Sequence, residues 1–166
     1  MTKTEENLKA AFAGESQANR RYLAFAQKAD EEGFTQAAKL FRAAAEAETV
    51  HALNHLRTLG EVKSTMENLT SALGGETYEF NKMYPEFLGI AKQEGKKQAA
   101  WSFDMANKVE QVHAKLYQKA IDTMKNKKDL EKVDYYVCSV CGNTVEGTAP
   151  DVCPICGTPK SFKKMI

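Results

Sequence analysis

Hydrophobic and polar residues follow the period of an amphipathic α-helix along most of this chain. From residue 4 to about residue 126, apolar side chains recur every three or four positions, proline occurs once, and β-branched residues are sparse. Gly33 and Gly95 each follow a charged run and interrupt this pattern, as expected for exposed turns between paired helices. The pattern predicts four helices in two hairpins, joined by a segment from Gly60 to about Met66.

The predicted helical region repeats with a period of 62 residues. An ordinary amphipathic repeat would reproduce apolar residues, but not also a tyrosine, a glutamate and a histidine. The repeat therefore predicts a duplicated helical hairpin around a site that requires glutamate and histidine. The matched pairs are Tyr22 with Tyr84, Gly33 with Gly95, Phe41 with Phe103, Glu48 with Glu110, and His51 with His113.

Glutamates and histidines lie where the apolar stripe of each helix would continue. Two helices carry Glu-x-x-His motifs, whose spacing places both side chains on one helix face. Burying unpaired carboxylates costs several kcal/mol each, so a cation must compensate them. One Glu from each of two helices with Glu-x-x-His from the other two is the pattern of di-iron and di-manganese bundles. The candidate metal ligands are Glu15, Glu48, His51, Glu76, Glu79, Glu110 and His113.

Three further polar residues lie near these candidate ligands in the sequence. We interpret His55, seven residues after Glu48, as a hydrogen-bonded or partly exposed histidine rather than a ligand. Tyr22 and Tyr84 could be core aromatic residues. Their hydroxyls need partners if they are buried, and metal-bound glutamates would be suitable acceptors.

The third predicted helix contains residues that weaken a helix interior. Gly74 and Gly75 directly precede Glu76, and Pro85 follows Glu79 by six residues. We therefore expect the backbone that carries these two glutamates to be unusually adjustable.

All four cysteines lie in the last 30 residues, as two C-x-x-C pairs each followed by glycine. In a reducing compartment such pairs are more often metal ligands than disulfides. The spacing predicts a tetrathiolate site, which suits zinc or iron. A neighbouring redox-active bundle favours iron, because it needs an electron source. The cysteines are Cys138, Cys141, Cys153 and Cys156.

Composition and charge narrow the possible partners and location. The net charge of +1 gives no reason to expect nucleic acid or an acidic membrane surface as a partner. No apolar run approaches the roughly 20 residues that cross a bilayer, and the first residues lack the apolar core of a signal peptide. We expect a cytoplasmic protein with no membrane partner.

With both elements in place, the whole chain resembles rubrerythrin, a ferritin-like domain followed by a rubredoxin-like domain. The resemblance implies an all-α ferritin-like four-helix bundle over residues 1–130 and a small rubredoxin-like Fe(Cys)4 domain over residues 131–166. Besides both cysteine pairs, it rests on Gly14-Glu15-Ser16, Glu48-Thr49-Val50-His51, Gly75-Glu76-Thr77-Tyr78-Glu79, Met83-Tyr84-Pro85-Glu86 and Glu110-Gln111-Val112-His113.

The resemblance also implies a role for each ligand of a di-iron site. Glu79 and His51 would exchange at one iron with oxidation state, and we group them with Tyr22 and Tyr84 as candidate catalytic residues. Oxidation adds positive charge and would favour the anionic glutamate, whereas reduction would favour the neutral histidine. The other implied roles are Glu48 and Glu110 as bridges, Glu15 as a terminal ligand of one iron, and Glu76 and His113 as ligands of the other.

The activity implied by the resemblance is peroxidase chemistry in oxidative-stress defence. Hydrogen peroxide would be reduced to water with electrons passed through the Fe(Cys)4 site. These electrons would derive from NAD(P)H through a redox donor protein, either a rubredoxin or a reductase. Two alternatives remain open: a ferroxidase or iron-storage protein, and a non-enzymatic module with zinc in its cysteines.

The linker between the two predicted hairpins departs from a ferritin-like crossover. About seven residues span at most roughly 25 Å, whereas crossing a helix of about 25 residues needs nearly 38 Å. We therefore predict a homodimer in which exchange of helical hairpins is one arrangement, with an ordinary up-down-up-down monomer as the alternative. Because the cysteine module begins roughly 24 Å along the helix from Glu110, we expect a partner chain's module to deliver the electrons unless the linker folds back.

Overall fold

The computed structural model describes all 166 residues and divides the chain into two compact units, Met1–Lys63 and Ser64–Ile166. The first unit is a helical hairpin, and the second combines a second hairpin with a small sheet. The predicted helices are all present, but the third is interrupted by a π-helical turn. The elements are α1 (Lys3–Glu31), α2 (Thr35–Thr58), α3 (Thr65–Tyr78), the π-turn (Glu79–Met83), α4 (Tyr84–Gln93), α5 (Lys97–Met124), β1 (Tyr135–Cys138), β2 (Thr144–Glu146) and β3 (Phe162–Lys164).

Small residues hold the first hairpin together. Gly33, with φ of +83°, ends α1 in the left-handed conformation that glycine adopts without strain. The Asn19 amide of α1 donates to the Ala45 carbonyl at 2.7 Å and to the Thr49 hydroxyl at 2.8 Å. This clamp lies beside Glu48 and fixes the height at which the two helices meet. The buried residues of the hairpin are Ala26, Ala29, Ala38, Ala45 and Ala52.

The second hairpin pairs the α3–π–α4 helix with α5 and turns at Gly95, whose φ is +67°. In the π-turn, the Tyr84 N–H bonds to the Glu79 carbonyl, five residues back. Pro85 has no N–H to continue the ladder and fits the first turn of α4. The irregular backbone therefore begins at Glu79, whereas Gly74, Gly75 and Glu76 lie in the regular helix α3.

The same aromatic arrangement occurs in both hairpins and confirms the 62-residue repeat as a structural one. The ring of Tyr22 lies 6.3 Å from that of Phe41, and the ring of Tyr84 lies 6.3 Å from that of Phe103. A second phenylalanine lies 5.6 Å from each of these phenylalanine rings. Each tyrosine thus packs against two rings of its own hairpin.

The cysteine-containing segment forms a three-stranded antiparallel sheet in the order β2–β1–β3. Both C-x-x-C pairs lie in turns closed by the predicted glycines: Gly142 and Gly157 have φ of +82° and +74° and donate to the carbonyls of Cys138 and Cys153 at 2.9 Å. None of the helices combines the length and the apolar character needed to cross a membrane.

Candidate metal centres

The first hairpin brings three predicted ligands into one group. Ligand atoms of Glu15, Glu48 and His51 all lie within 4.8 Å of one another, and His51 Nδ1 is 3.1 Å from Glu48 Oε2. A hydrogen bond to Glu48, burial and the charge of Glu48 raise the pKa of Glu15. Hydrogen bonds from Glu15 and His51 lower the pKa of Glu48. Two carboxylates this close repel each other when both are charged, so the pair is suited to a cation.

The second hairpin holds the matching group from the other half of the repeat. Ligand atoms of Glu76, Glu110 and His113 lie within 4.8 Å of one another. His113 Nδ1 is 2.8 Å from Glu110 Oε2 and 3.7 Å from Glu76 Oε1. Burial, a hydrogen bond with Glu110, and the charges of Glu110 and Glu79 raise the pKa of Glu76 to about 7. Each Glu-x-x-His motif therefore has both side chains on one face, with a glutamate of the facing helix beside them.

Glu79 lies close to the second group without being part of it. Burial and the negative charge of Glu110 raise its pKa, and the nearby His113 partly offsets this. Burial and the charges of Glu110, Glu79 and Glu76 also raise the pKa of the Tyr84 hydroxyl. The second hairpin thus presents an extra carboxylate and a phenol beside its three clustered ligands.

Two polar residues beside the second group were not identified from the sequence. Burial and the charges of Glu76 and Glu110 raise the pKa of Tyr117, which follows His113 by one turn. The repeat could have identified Tyr117, because Tyr117 lies 62 residues after His55. The charge of His55 in turn lowers the pKa of Glu15. Thr144 lies in β2 and had no such signal. Its Oγ1 is 3.0 Å from His113 Nε2.

The four cysteines form a single cluster of free thiols. The Sγ atoms of Cys138 and Cys156 are 3.7 Å apart, and those of Cys141 and Cys153 are 3.6 Å apart. A metal–sulfur distance of about 2.3 Å in a tetrahedral site gives sulfur–sulfur edges of about 3.8 Å. The four sulfur atoms therefore fit a tetrathiolate metal ion without rearrangement.

Hydrogen bonds prepare one of these sulfur atoms to carry negative charge. Burial acts to raise the pKa of Cys138, but the Ser161 hydroxyl and the backbone N–H groups of Cys141 and Val140 outweigh it and lower the pKa to about 6. Ser161 Oγ lies 3.1 Å from Cys138 Sγ. A low pKa favours the thiolate, which is the form that binds metal.

The cysteine module packs against the α5 helix of its own chain. Besides the contact between Thr144 and His113, Lys119 of α5 forms an ion pair with Glu146 of β2 at 2.7 Å. The segment after α5 therefore folds back, although the helix itself runs away from Glu110. The sequence predicts that a partner chain's module delivers the electrons unless the linker folds back. Since it does fold back, that expectation does not apply. For the group on α3 and α5, the nearby module is the chain's own.

Comparison with known protein families identifies both parts of the chain. The rubrerythrin family model matches residues 6–121, and the model of the rubrerythrin rubredoxin-like domain matches residues 136–163. The chain belongs to the rubrerythrin family. The two matched regions contain both helical ligand groups and the cysteine cluster.

Relatives of this rubrerythrin-family chain match it over nearly its whole length. Rubrerythrin-2 of Clostridium acetobutylicum is 35% identical, covering 95% of this chain and 93% of the relative. Nigerythrin of Nitratidesulfovibrio vulgaris is 37% identical, covering 95% and 83%. A solved structure of nigerythrin in a mixed-valence state is 36% identical with a TM-score of 0.58, covering 99% of this chain and 88% of the other.

These findings confirm the fold class and the cofactors expected from the sequence. The chain is a ferritin-like helical protein with a rubredoxin-like module, and it carries a di-iron site and one iron in a four-cysteine site. It is an oxidoreductase of oxidative-stress defence that acts with a redox partner. The first family model ends at residue 121 and the second begins at residue 136. The two compact units of the structure instead divide after residue 63.

Proposed function

We propose that this protein is a non-haem di-iron peroxidase that reduces hydrogen peroxide to water. Each peroxide takes two electrons and two protons and yields two water molecules. The observation that carries the proposal is the cysteine module on α5, where Thr144 reaches His113 at 3.0 Å. An iron-storage protein has no use for an electron-transfer module held against a candidate ligand. A peroxidase must re-reduce its di-iron centre after each turnover.

We assign the di-iron centre to both ligand groups of the repeat. Glu48 and Glu110 would bridge the irons, Glu15 would bind one of them, and Glu76 and His113 would bind the other. When bound, the iron pair would supply two electrons to the substrate, and the Fe(Cys)4 site would return electrons that originate from NAD(P)H through a donor protein. The four thiolate ligands require a reducing compartment, for which we propose the cytoplasm.

A cavity beside the second ligand group leaves room for a small substrate. Its volume is about 340 Å³, and its lining includes Glu76, His113, Tyr117 and Thr144. Hydrogen peroxide is only slightly larger than water, so a cavity of this volume has room for it beside the ligands. The hydroxyls of Tyr84 and Tyr117 would supply hydrogen bonds beside the reacting oxygen atoms.

A stoichiometric peroxide titration tests the proposal. The iron-loaded protein should contain three irons per chain. After full reduction without oxygen it should consume about one and a half peroxide molecules per chain, because three ferrous ions supply three electrons. The ferric tetrathiolate colour, bleached on reduction, should return as peroxide is added.

A chain with Cys141→Ser, which lacks the tetrathiolate iron, should consume only about one peroxide molecule. A reduced wild-type protein that leaves peroxide unconsumed would contradict the proposal. Continuous uptake and retention of iron beyond three ions would favour the ferroxidase alternative. Zinc in the cysteine site of the protein as isolated from cells, with no iron in the helices, would favour the non-enzymatic one.

Glu79 and His51 should have different roles in turnover. We expect His51→Ala to bind two ferric ions through Glu79 but to lose at least about tenfold in peroxide rate, because a change of one unit of metal charge is worth several kcal/mol at short range. Glu79→Ala should weaken the diferric state more. Rates from stopped-flow mixing and iron counts test this. His55→Ala, one turn further along α2, is the matched control. Wild-type rates in both His51→Ala and Glu79→Ala would exclude the exchange.

We also propose that the functional unit is a homodimer with exchanged hairpins. Only six residues, 59–64, separate α2 from α3, which is short for a ferritin-like crossover. Apolar side chains on the first hairpin are open to solvent, including Phe25 at 47% and Leu40 at 70%, and His51 is 54% exposed. A second copy could cover these surfaces and supply the complementary ligand group.

A further inference from the structure

The two histidines related by the repeat have different surroundings. His51 is 54% exposed, and its ring bonds through Nδ1 to Glu48. His113 is 27% exposed and is held at both nitrogens, by Glu110 at Nδ1 and by Thr144 at Nε2. The sequence repeat makes the two residues equivalent, and the cysteine module adds a contact to His113 through β2.

The hydrogen bonds around Thr144 determine which ring nitrogen of His113 faces the metal ligands. The Thr144 hydroxyl donates its single hydrogen to the Gly142 carbonyl at 3.2 Å. In that arrangement the hydroxyl accepts from His113, and Nε2 is the ring nitrogen that carries the hydrogen when a metal ion occupies Nδ1. Nδ1 lies 2.8 Å from Glu110 Oε2 and 3.7 Å from Glu76 Oε1. A metal ion held by these carboxylates would bind Nδ1, because the hydrogen bond at one ring nitrogen fixes which nitrogen binds the metal.

Contacts on both sides hold Thr144 in this position. Lys119 and Glu146 form an ion pair at 2.7 Å, and the Tyr135 hydroxyl donates to Glu146 at 3.2 Å. On the other side, the Gly142 backbone packs over Val109, which is buried, so that a methyl group at Gly142 would lie 3.9 Å from Val109 Cγ1. Gly142 directly follows Cys141, and this contact therefore also fixes one cysteine turn relative to α5.

We propose that Thr144 is a positioning residue of the di-iron centre, which holds the ligand His113 through Nε2 and connects it to the Cys141 turn. This inference rests on the proposed function, because it takes His113 as an iron ligand. The chain Cys141–Gly142–Thr144–His113 then links the two iron sites. Along it an electron from ferrous tetrathiolate iron, which would be oxidised, would reach ferric iron at His113, which would be reduced.

Two substitutions of Thr144 distinguish the effect of its hydroxyl from the effect of its side-chain shape. Thr144→Val keeps the branched side chain and removes the hydroxyl, whereas Thr144→Ser keeps the hydroxyl. In the iron-loaded protein, we expect Thr144→Val to weaken iron binding at the di-iron centre by about 10- to 100-fold, the cost typical of losing an outer partner of a metal-bound histidine. Thr144→Ser should retain wild-type affinity. Equilibrium competition with a chelator measures this.

The electron transfer between the sites gives a second measurement. After reduction and rapid mixing with peroxide, return of the ferric tetrathiolate colour should be at least about tenfold slower in Thr144→Val than in Thr144→Ser. The reduction potential of the tetrathiolate iron should be the same in both. Glu146→Gln, which leaves the hydroxyl but removes the ion pair to Lys119, should show a smaller loss in the same direction.

Each outcome decides the inference. Unchanged iron affinity in Thr144→Val would overturn it, and so would equal losses in Thr144→Val and Thr144→Ser, since shape rather than the hydroxyl would then be responsible. A wild-type protein that fails to consume peroxide would overturn the proposed function. The chelator measurement would still decide whether Thr144 positions His113, because it does not depend on turnover.

Discussion

Glu110→Ala should lose the paired iron of the helical part while keeping the tetrathiolate iron. Glu110 lies 2.8 Å from the His113 ring and also raises the pKa values of Glu76 and Glu79. Removing a bridging ligand should weaken iron binding by more than about 100-fold, beyond the cost of losing an outer partner of a ligand. Peroxide turnover should fall to background. Iron counts and the visible spectrum, measured on the same sample, separate the two sites.

Glu48→Ala should have the same effect from the other hairpin, because the repeat gives it the equivalent position. Glu46→Ala is the matched control, since Glu46 lies on the same helix, is exposed and belongs to neither ligand group. It should retain three irons and full turnover. Two irons retained in the helices of Glu48→Ala or Glu110→Ala would contradict the assignment of the bridging ligands.

Two inactive chains should restore activity when they are combined in one dimer. We expect a heterodimer of a Cys138→Ser chain with a Glu48→Ala chain to show about half of wild-type turnover, since one of its two sites is complete. With exchanged hairpins, that site takes α1 and α2 from the first chain. It takes α3 to α5, with the intact cysteine module, from the second. Co-expression with two different affinity tags and purification through both isolates this heterodimer.

The matched combination of Cys138→Ser with Glu110→Ala should stay inactive. The module is held to α5 of its own chain by Thr144 and Lys119, so the chain with an intact module carries the damaged ligand. Electron delivery by a partner's module, which the sequence alone suggested, would make this second heterodimer active. Inactivity of both heterodimers would exclude exchanged hairpins, as would a monomeric mass with full activity.

The sequence by itself determined the two helical hairpins and which residues are candidate metal ligands. Helical periodicity and the glycines with positive φ located the four helices and their turns, because these signals depend on local backbone preferences. The 62-residue repeat was visible because Glu48 and Glu110 were duplicated along with apolar residues. The Glu-x-x-His spacing and the spacing within each C-x-x-C pair placed ligands together because each acts within about one turn of the backbone.

Only the tertiary structure decided how the cysteine module meets the helices. Thr144 and His113 are 31 positions apart, and no local pattern predicts a hydrogen bond across that distance. The helix direction suggested that the module lies far from Glu110, but the ion pair of Lys119 with Glu146 and the packing of Gly142 on Val109 hold it close. The sequence makes His51 and His113 equivalent. In the folded protein His113 gains a hydrogen bond to Thr144 of a distant segment, which the repeat could not predict.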